Sequence, residues 1–352
     1  MPIITHSLPG NKRLQLLPAT GEKIAMLRVY APGEAMVGMA VPADTVALPA
    51  GVVWFDLFNP SQAEDALVEA ATGISVPTAA DMAEIESSSR LYTENGAIYV
   101  TATLATGIIR QDASTAPVSF VLTDRHLVTV RYAEIPSFDR FANHLERSPV
   151  LCQSPGLALV HLIDAIVDRL ADGFEHIGTE TDAISRAAFR RNRPGEAGQQ
   201  RVSNLALQVL LTRLGATQDA LSKARESAVS LSRALGFLQF ALPKDAGLTP
   251  HIKTQLRDLA SLTDQANFIS NNLTFLLDAA LGLISIEQNA VLKIFSVVAI
   301  IFMPPTMVAG IYGMNFAHMP ELAWPLGYPM ALLIMLASAI LPYGFFRWKG
   351  WL

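Results

Sequence analysis

The 352-residue chain is poor in cysteine, in charge and in clustered basic side chains. One cysteine, Cys152, excludes an intrachain disulfide framework and any cysteine-cluster zinc or iron-sulfur centre. Charged residues are only 16% of the chain, against about a quarter in ordinary soluble domains, so part of the chain belongs outside water. A net charge of −5 without a Lys/Arg run argues against a nucleic-acid partner, because duplex binding needs dense cations to neutralise phosphates. The opening stretch MPIITHSLPGNKRLQLL has no charged region leading into an apolar one. No cleavable signal peptide is therefore expected, and the soluble part is expected to face the cytoplasm. There is no GxxxxGK[ST] loop, no kinase signature and no HExxH. The seven histidines (His6, His126, His144, His161, His176, His251 and His318) are scattered, and no two of them suggest a shared active site. Neither an enzyme nor an organic cofactor is expected.

The charges that do occur are unevenly placed. Beyond Lys293 only Glu321, Arg347 and Lys349 remain. Ile294 to Phe316 is a run of 23 uncharged residues and Leu322 to Phe346 another of 25, each able to cross a hydrocarbon core of about 30 Å. Lys293 precedes the first run, Arg347 and Lys349 follow the second, and the loop between them carries Glu321 alone. That asymmetry puts both termini in the cytoplasm. Tyr312, Trp324, Tyr328, Tyr343, Trp348 and Trp351 fall near the ends of the runs, where aromatic rings favour the headgroup level.

The soluble part reads as residues 1–150, a cytoplasmic α/β domain, followed by residues 151–245, a helical hairpin. Within the first, Val52 to Leu57, Ala97 to Ile109 and Val118 to Tyr132 are rich in β-branched and aromatic residues, the last turned at Asp124-Arg125. We expect an antiparallel sheet flanked by helices, an α+β arrangement. Ser61 and Glu64 form a capping box that opens a helix after Asn59-Pro60. Helices are predicted from Pro155 to about Arg191 and from about Gln199 to Phe240, with the turn at Arg191 to Gly195. Thr249-Pro250 then reads as an N-cap and first-turn proline. Leu259, Leu262, Ala266, Ile269, Leu273, Leu276, Ala280 and Leu283 follow 3,4 spacing. The spacing predicts a stalk helix over 250–316 that continues into a first span at about 294–313, then a loop at 317–323, a second span at 324–346 and a basic tail at 347–352. A rod of roughly 90 Å cannot bury such a stripe alone, so a homo-oligomer is expected, the rival being cover by the hairpin of the same chain. In the first hairpin helix His161, Asp164, Asp168, Asp172 and Glu175 make an acidic stripe. It is either a solvated face or an attractor of dications and of the basic ends Lys293, Arg347 and Lys349.

Between the spans stands Tyr312-Gly313-Met314-Asn315-Phe316, followed by Met319-Pro320-Glu321-Leu322. With Ile301-Phe302-Met303-Pro304, Thr306, Ala309-Gly310-Ile311-Tyr312 and the terminal Lys349-Gly350-Trp351-Leu352, this resembles the CorA family of divalent-cation channels. A looser likeness continues upstream in Trp54-Phe55-Asp56-Leu57 before Asn59-Pro60, in Ile85 to Arg90 and in the Phe120 to Arg131 hairpin. The resemblance implies a homopentamer in the cell inner membrane that takes up Mg2+, with Co2+ and Ni2+ as passengers. It implies Gly313, Met314 and Asn315 as the selectivity filter and Asn289 as a pore-lining amide. It also implies cytoplasmic Mg2+ sensing by carboxylates between subunits, for which Asp81 or Glu84 and the stalk residue Asp258 are the candidates, Thr254 standing where a stalk acid is expected.

Elementary chemistry supports part of this reading. Mg2+ sheds water reluctantly, and a ring of Asn315 amide oxygens would accept hydrogen bonds from the waters of a hydrated dication without stripping them. On local sequence alone Asn315 is equally a helix C-cap. Gly313 permits a tight turn, at positive φ if required. Phe295, Ala299, Met303, Thr306 and Gly310 share one helix face. If Asn315 faces an axis, Thr306 offers a hydroxyl, while Phe295 and Met303 form apolar constrictions; ordinary helix packing is the alternative. Pro304-Pro305 leaves the carbonyls of Ile300 and Ile301 without helical partners, which either kinks the helix or presents those oxygens to the pore. Glu321 would concentrate cations at the outer loop. A zinc transporter of the same superfamily and a non-conducting, membrane-anchored metal sensor are the competing functions.

Overall fold

The computed structural model describes residues 26–31, 39–41, 48–84, 86–110, 112–189, 204–242, 247–314, 319–320 and 324–350. They fall into two units.

The first unit draws on Met1–Asp182 and Ala216–Asn271. Its strands are β1 (Met26–Tyr30), β2 (Met39–Val41), β3 (Trp54–Phe58), β4 (Leu91–Glu94), β5 (Ala97–Thr106), β6 (Ser114–Leu122) and β7 (Leu127–Arg131), with α1 (Gln62–Thr72), α2 (Ala79–Ala83), α3 (Ser87–Arg90) and α4 (Pro136–Leu145) between or after them. They make one sheet in the order β2-β1-β3-β7-β6-β5-β4. Five of the pairings are antiparallel as expected, but β3 and β7 run parallel, Asp56 opposite Thr129, so the sheet is mixed. The parallel pair arises because α1, α2 and the β4 to β6 meander carry the chain across before β7 returns beside β3. Ser61 and Glu64 do form a capping box at the start of α1, and Asp124-Arg125 lies in the β6-β7 turn.

Strand alternation sorts the central strands onto two faces. Phe55, Leu57, Val128 and Val130 join Val68 and Met82 in one core. On the other face Trp54 stacks on Tyr30 with centroids 4.2 Å apart and meets Phe141 of α4 at 5.4 Å, while Phe138 of α4 meets Phe120 at 6.4 Å. With both faces covered, the polar residues of β3 and β7 must satisfy one another. Arg131 Nε and Nη2 donate to Asp56 Oδ1 and Oδ2 at 3.1 and 2.8 Å, and the Thr129 hydroxyl donates to Asp56 Oδ1 at 3.0 Å. The guanidinium also lies 4.7 and 4.6 Å from the ring centroids of Phe58 and Phe138. Sequence reading found Asp56 and Arg131 but not their partnership.

Three long helices follow: α5 (Pro155–Phe189), α6 (Asn204–Ala241) and α7 (Leu248–Tyr312). In the first unit α7 is tied to α5, and α6 to the sheet. The Gln255 side chain of α7 donates through Nε2 to the Val160 carbonyl of α5 at 2.7 Å, and the Ser230 hydroxyl of α6 accepts from the Thr103 amide of β5 at 2.8 Å. α7 begins at Leu248, so Pro250 sits in its first turn and Thr249 lies inside the helix rather than before it, a boundary difference of the size expected at a frayed end. The predicted hairpin turn at Arg191 to Gly195 lies outside the described residues.

The second unit comprises Ala183–Gly215 and Asn272–Leu352. It holds the rest of α7 and α8 (Gly327–Trp348), both long and apolar enough to cross a membrane. Only 6% and 11% of their apolar windows are buried within the chain. A core helix of a soluble protein would be mostly covered, so these two read as membrane spans.

One expectation needs revising. Leu259, Ala266, Ile269, Leu273, Leu276 and Ala280 of the stripe are all buried within the single chain. The stripe is covered internally and does not by itself require a second copy. The exposed apolar residues of α7 are others: Phe275 and Ile286 are 62% and 67% exposed although they precede Lys293.

Candidate functional site

The predicted pore residues all lie on α7. Asn289, Phe295, Ala299, Met303, Thr306 and Gly310 are every one exposed, Phe295 and Met303 at 69% and 70%. The face is therefore unoccupied by the chain's own packing. α7 stays helical through Pro304 and Pro305, so the two prolines do not end it, and they leave the Ile300 and Ile301 carbonyls without helical N–H donors. Just beyond, the Thr306 hydroxyl donates to the Phe302 carbonyl at 2.7 Å, adding a bond to the helix where two were lost. Its proton is thereby committed to the backbone, and only its lone pairs face outward. A hydroxyl so arranged accepts hydrogen bonds, which is what the outward-pointing protons of a hydrated cation require.

At the end of α7 the Gly313 amide donates to the Ala309 carbonyl at 2.9 Å. Gly313 is not among the positive-φ glycines of the described residues, so the left-handed conformation allowed for in the sequence is not adopted. A Cβ there would lie 3.0 Å from the Ala309 oxygen, a tight contact that a larger side chain would meet only with a small shift of the backbone. Met314 is half exposed. Asn315, Phe316, Glu321 and Leu322 lie outside the described residues, as does most of the predicted 317–323 loop.

The candidate regulatory carboxylates do not gather within the chain. Asp81 is spent on a capping box, its Oδ2 accepting from the Thr78 amide and hydroxyl at 2.9 and 2.7 Å. Glu84 is the C-cap of α2, its carbonyl accepting from Arg90 Nε at 2.6 Å. Thr254 donates its hydroxyl to the Pro250 carbonyl at 3.2 Å. Asp258 instead belongs with the acidic stripe of α5: burial raises the Asp168 carboxyl above its ordinary range, Asp164 raises it further, Arg140 opposes, and Asp172 and Asp258 add to the rise. Asp172 is shared by Arg140 and Arg169 at 3.5 and 3.6 Å, so the stripe is partly neutralised where the sequence suggested an open acidic face. Among the described residues no three His, Cys, Asp or Glu side chains converge as a ready metal site.

The basic ends are exposed: Lys293 on α7, Arg347 with its Nη1 donating to the Tyr343 hydroxyl at 3.3 Å, and Lys349 with Nζ 5.9 Å from the Trp348 ring centroid. The sequence reading missed a histidine pair. His161 of α5 and His251 of α7 stand edge to face with ring centroids 5.4 Å apart. Ninety residues separate them, and only the pairing of α5 with α7 could have revealed it.

A mixed α/β unit, three long helices, the last of them ending in an uncovered apolar stretch, and a second uncovered apolar helix define a membrane protein. The sequence profile described as CorA-like Mg2+ transporter protein matches residues 49–347. The chain is 35% identical over 301 residues to the magnesium transport protein CorA of Pasteurella multocida (strain Pm70), covering 85% of this chain and 92% of that one. It is 31% identical over 300 residues to the protein of the same name in Escherichia coli (strain K12), with the same coverage. Among solved structures, the complete CorA magnesium transporter of Methanocaldococcus jannaschii superposes with a TM-score of 0.70 at 18% identity, over 94% of this chain and 99% of that one. The full-length CmaX protein does so with a TM-score of 0.61 at 15% identity, over 93% and 98%. The chain belongs to the CorA-like Mg2+ transporter family, and it is a membrane transporter rather than an enzyme.

Proposed function

We propose that several copies of this chain, five by family resemblance, surround an axis with their α7 helices and form a passive pathway for hydrated divalent cations in the cell inner membrane, both termini in the cytoplasm. Mg2+ is the chief cargo, and Co2+ and Ni2+ pass by the same route. The observation that carries the reading is the uncovered face of α7, on which Asn289, Phe295, Ala299, Met303, Thr306 and Gly310 are all exposed. The exposed Phe275 and Ile286, in the part of α7 that precedes Lys293, favour cover by neighbouring copies, since apolar side chains there would otherwise face water.

Gly313, Met314 and Asn315 form the filter, with the Asn315 amides holding the cation through its waters. Thr306 offers the second ring of acceptors, and Phe295 and Met303 close the path by excluding water when they approach. Entry of a dication down an inside-negative potential is worth about 4.6 kcal/mol per 100 mV, twice the single-charge value, which suffices without ATP. Glu321 concentrates cations outside, and Lys293, Arg347 and Lys349 fix the orientation by the positive-inside rule. Any Mg2+ sensing through Asp81, Glu84 or Asp258 would have to be completed by a neighbouring copy, because the single chain does not assemble them.

The test is Mg2+ entry into proteoliposomes under an inside-negative potential, with parallel Zn2+ and Co2+ trials and the Asn315→Ala variant. Potential-driven Mg2+ entry lost in Asn315→Ala with intact oligomers supports the pathway. Zn2+ entry without Mg2+ would transfer the reading to zinc transport, and no flux of any cation would leave a non-conducting sensor.

A further inference from the structure

We infer that His161 and His251 form a binding site for one borderline transition-metal dication, such as Zn2+, Ni2+ or Cu2+, that links α5 to α7. The first argument is geometric. An imidazole nitrogen binds such a metal at about 2.0–2.1 Å, which puts each ring centroid about 3.2 Å from the ion. At a tetrahedral angle two such rings stand about 5.2 Å apart, and the observed centroid separation is 5.4 Å with the planes at 70°. The rings therefore need little more than rotation about their side-chain bonds to take one ion between them.

The second argument is the supply of further oxygen ligands. Asp164 lies one turn from His161 on α5 and is exposed. Gln255 lies one turn from His251 on α7 and is 2% exposed. Its Nε2 donates to the carbonyl of Val160, the neighbour of His161, while its Oε1 is buried with no partner. A buried amide oxygen without a donor is costly, and a metal or a metal-bound water beside the histidines would relieve it. Water completes the shell, and the exposed Asp164 adds negative charge one turn away.

Two imidazoles select against the transported Mg2+, which takes oxygen ligands, and favour metals on the nitrogen-binding side of the series. The site is thus chemically distinct from the pore and outside it. Its occupation would tie together two helices that otherwise meet there through side-chain packing and the Gln255 bond.

The experiment titrates Zn2+ into the untagged, full-length protein in detergent, with millimolar Mg2+ present to fill the oxygen sites. We expect the wild type to bind one Zn2+ per chain at a site that His161→Gln and His251→Gln each weaken on the order of tenfold or more, while His176→Gln, about four turns along α5, leaves it unchanged. Equal Zn2+ binding in wild type and both variants overturns the proposal. Should a variant fail to fold, the Cu2+ electron paramagnetic resonance spectrum of the wild type decides alone. Coupling to two imidazole nitrogens supports the site, and a spectrum without imidazole coupling overturns it. The readout is binding and not flux, so it succeeds or fails independently of the pore.

Discussion

Replacing Asp56 by Ala is the sharpest perturbation of the sheet. Asp56 and Arg131 have side chains only 1% and 3% exposed, and three hydrogen bonds end on the carboxylate. Removing it leaves a guanidinium between Phe58 and Phe138 with no counter-charge, too deep to recruit bulk water. Breaking a buried pair in this way costs about 3–5 kcal/mol, whereas the attraction within the intact pair is largely offset by desolvation. Two consequences separate this reasoning from a simple sum of contacts. In hydrogen exchange read by mass spectrometry, the β3 and β7 peptides of Asp56→Ala should exchange roughly 150- to 4,000-fold faster, the equivalent of that free energy at 1.4 kcal/mol per tenfold. The double variant Asp56→Leu with Arg131→Met, which removes both charges and restores apolar volume, should recover more than half of the protection. A single variant that exchanges less than about fivefold faster, or a double variant as unstable as the single, would refute the argument.

Four further outcomes follow from three residues. Cys152 is fully buried and burial pushes its thiol up to about 12 from an ordinary 9.0, so maleimide at pH 8 should leave the native protein unlabelled and modify it once urea is added. Because the folded thiol resists ionisation, its contribution to stability holds below pH 9.0 and is lost as pH rises toward 12, which a series of melts across that window would register. Gly107→Ala should lower the melting temperature, since Gly107 has φ +73° and a Cβ there would collide with the Asp112 carbonyl and carboxylate oxygens; a cost above about 1 kcal/mol is expected. Thr306→Ser should keep Mg2+ flux while Thr306→Val lowers it severalfold, measured in the same vesicles; equal flux in both would remove Thr306 from the pathway.

Features written within a few residues of one another were legible in the sequence. The Ser61 to Glu64 capping box, the Asp124-Arg125 turn, the two long helices after residue 150 and the two apolar helices each depend on local spacing or on run length, and each appears in the structure. Features that depend on which distant elements touch were not. The parallel β3-β7 pairing, the Asp56–Arg131 pair and the His161–His251 pair all need a register that no local pattern encodes. The stripe on α7 shows the same limit from the other side, because its periodicity announced burial without saying against what. Gly313 was read as permitting a tight turn, at positive φ if required, and the structure shows the turn without the positive φ.

The insertion of β7 between β3 and β6 also bears on how the molecule is made. The sheet cannot close until Arg131 has left the ribosome, since β7 is the strand that joins its two halves. From that point roughly 160 residues remain before the first apolar run at Ile294, some 8–30 s of synthesis at ordinary rates. The sheet thus has time to be sealed before any residue demands the bilayer. A nascent chain stalled in membrane insertion would then carry a finished sheet, and its aggregation hazard would reside in the last sixth of the polypeptide, from Ile294 onward.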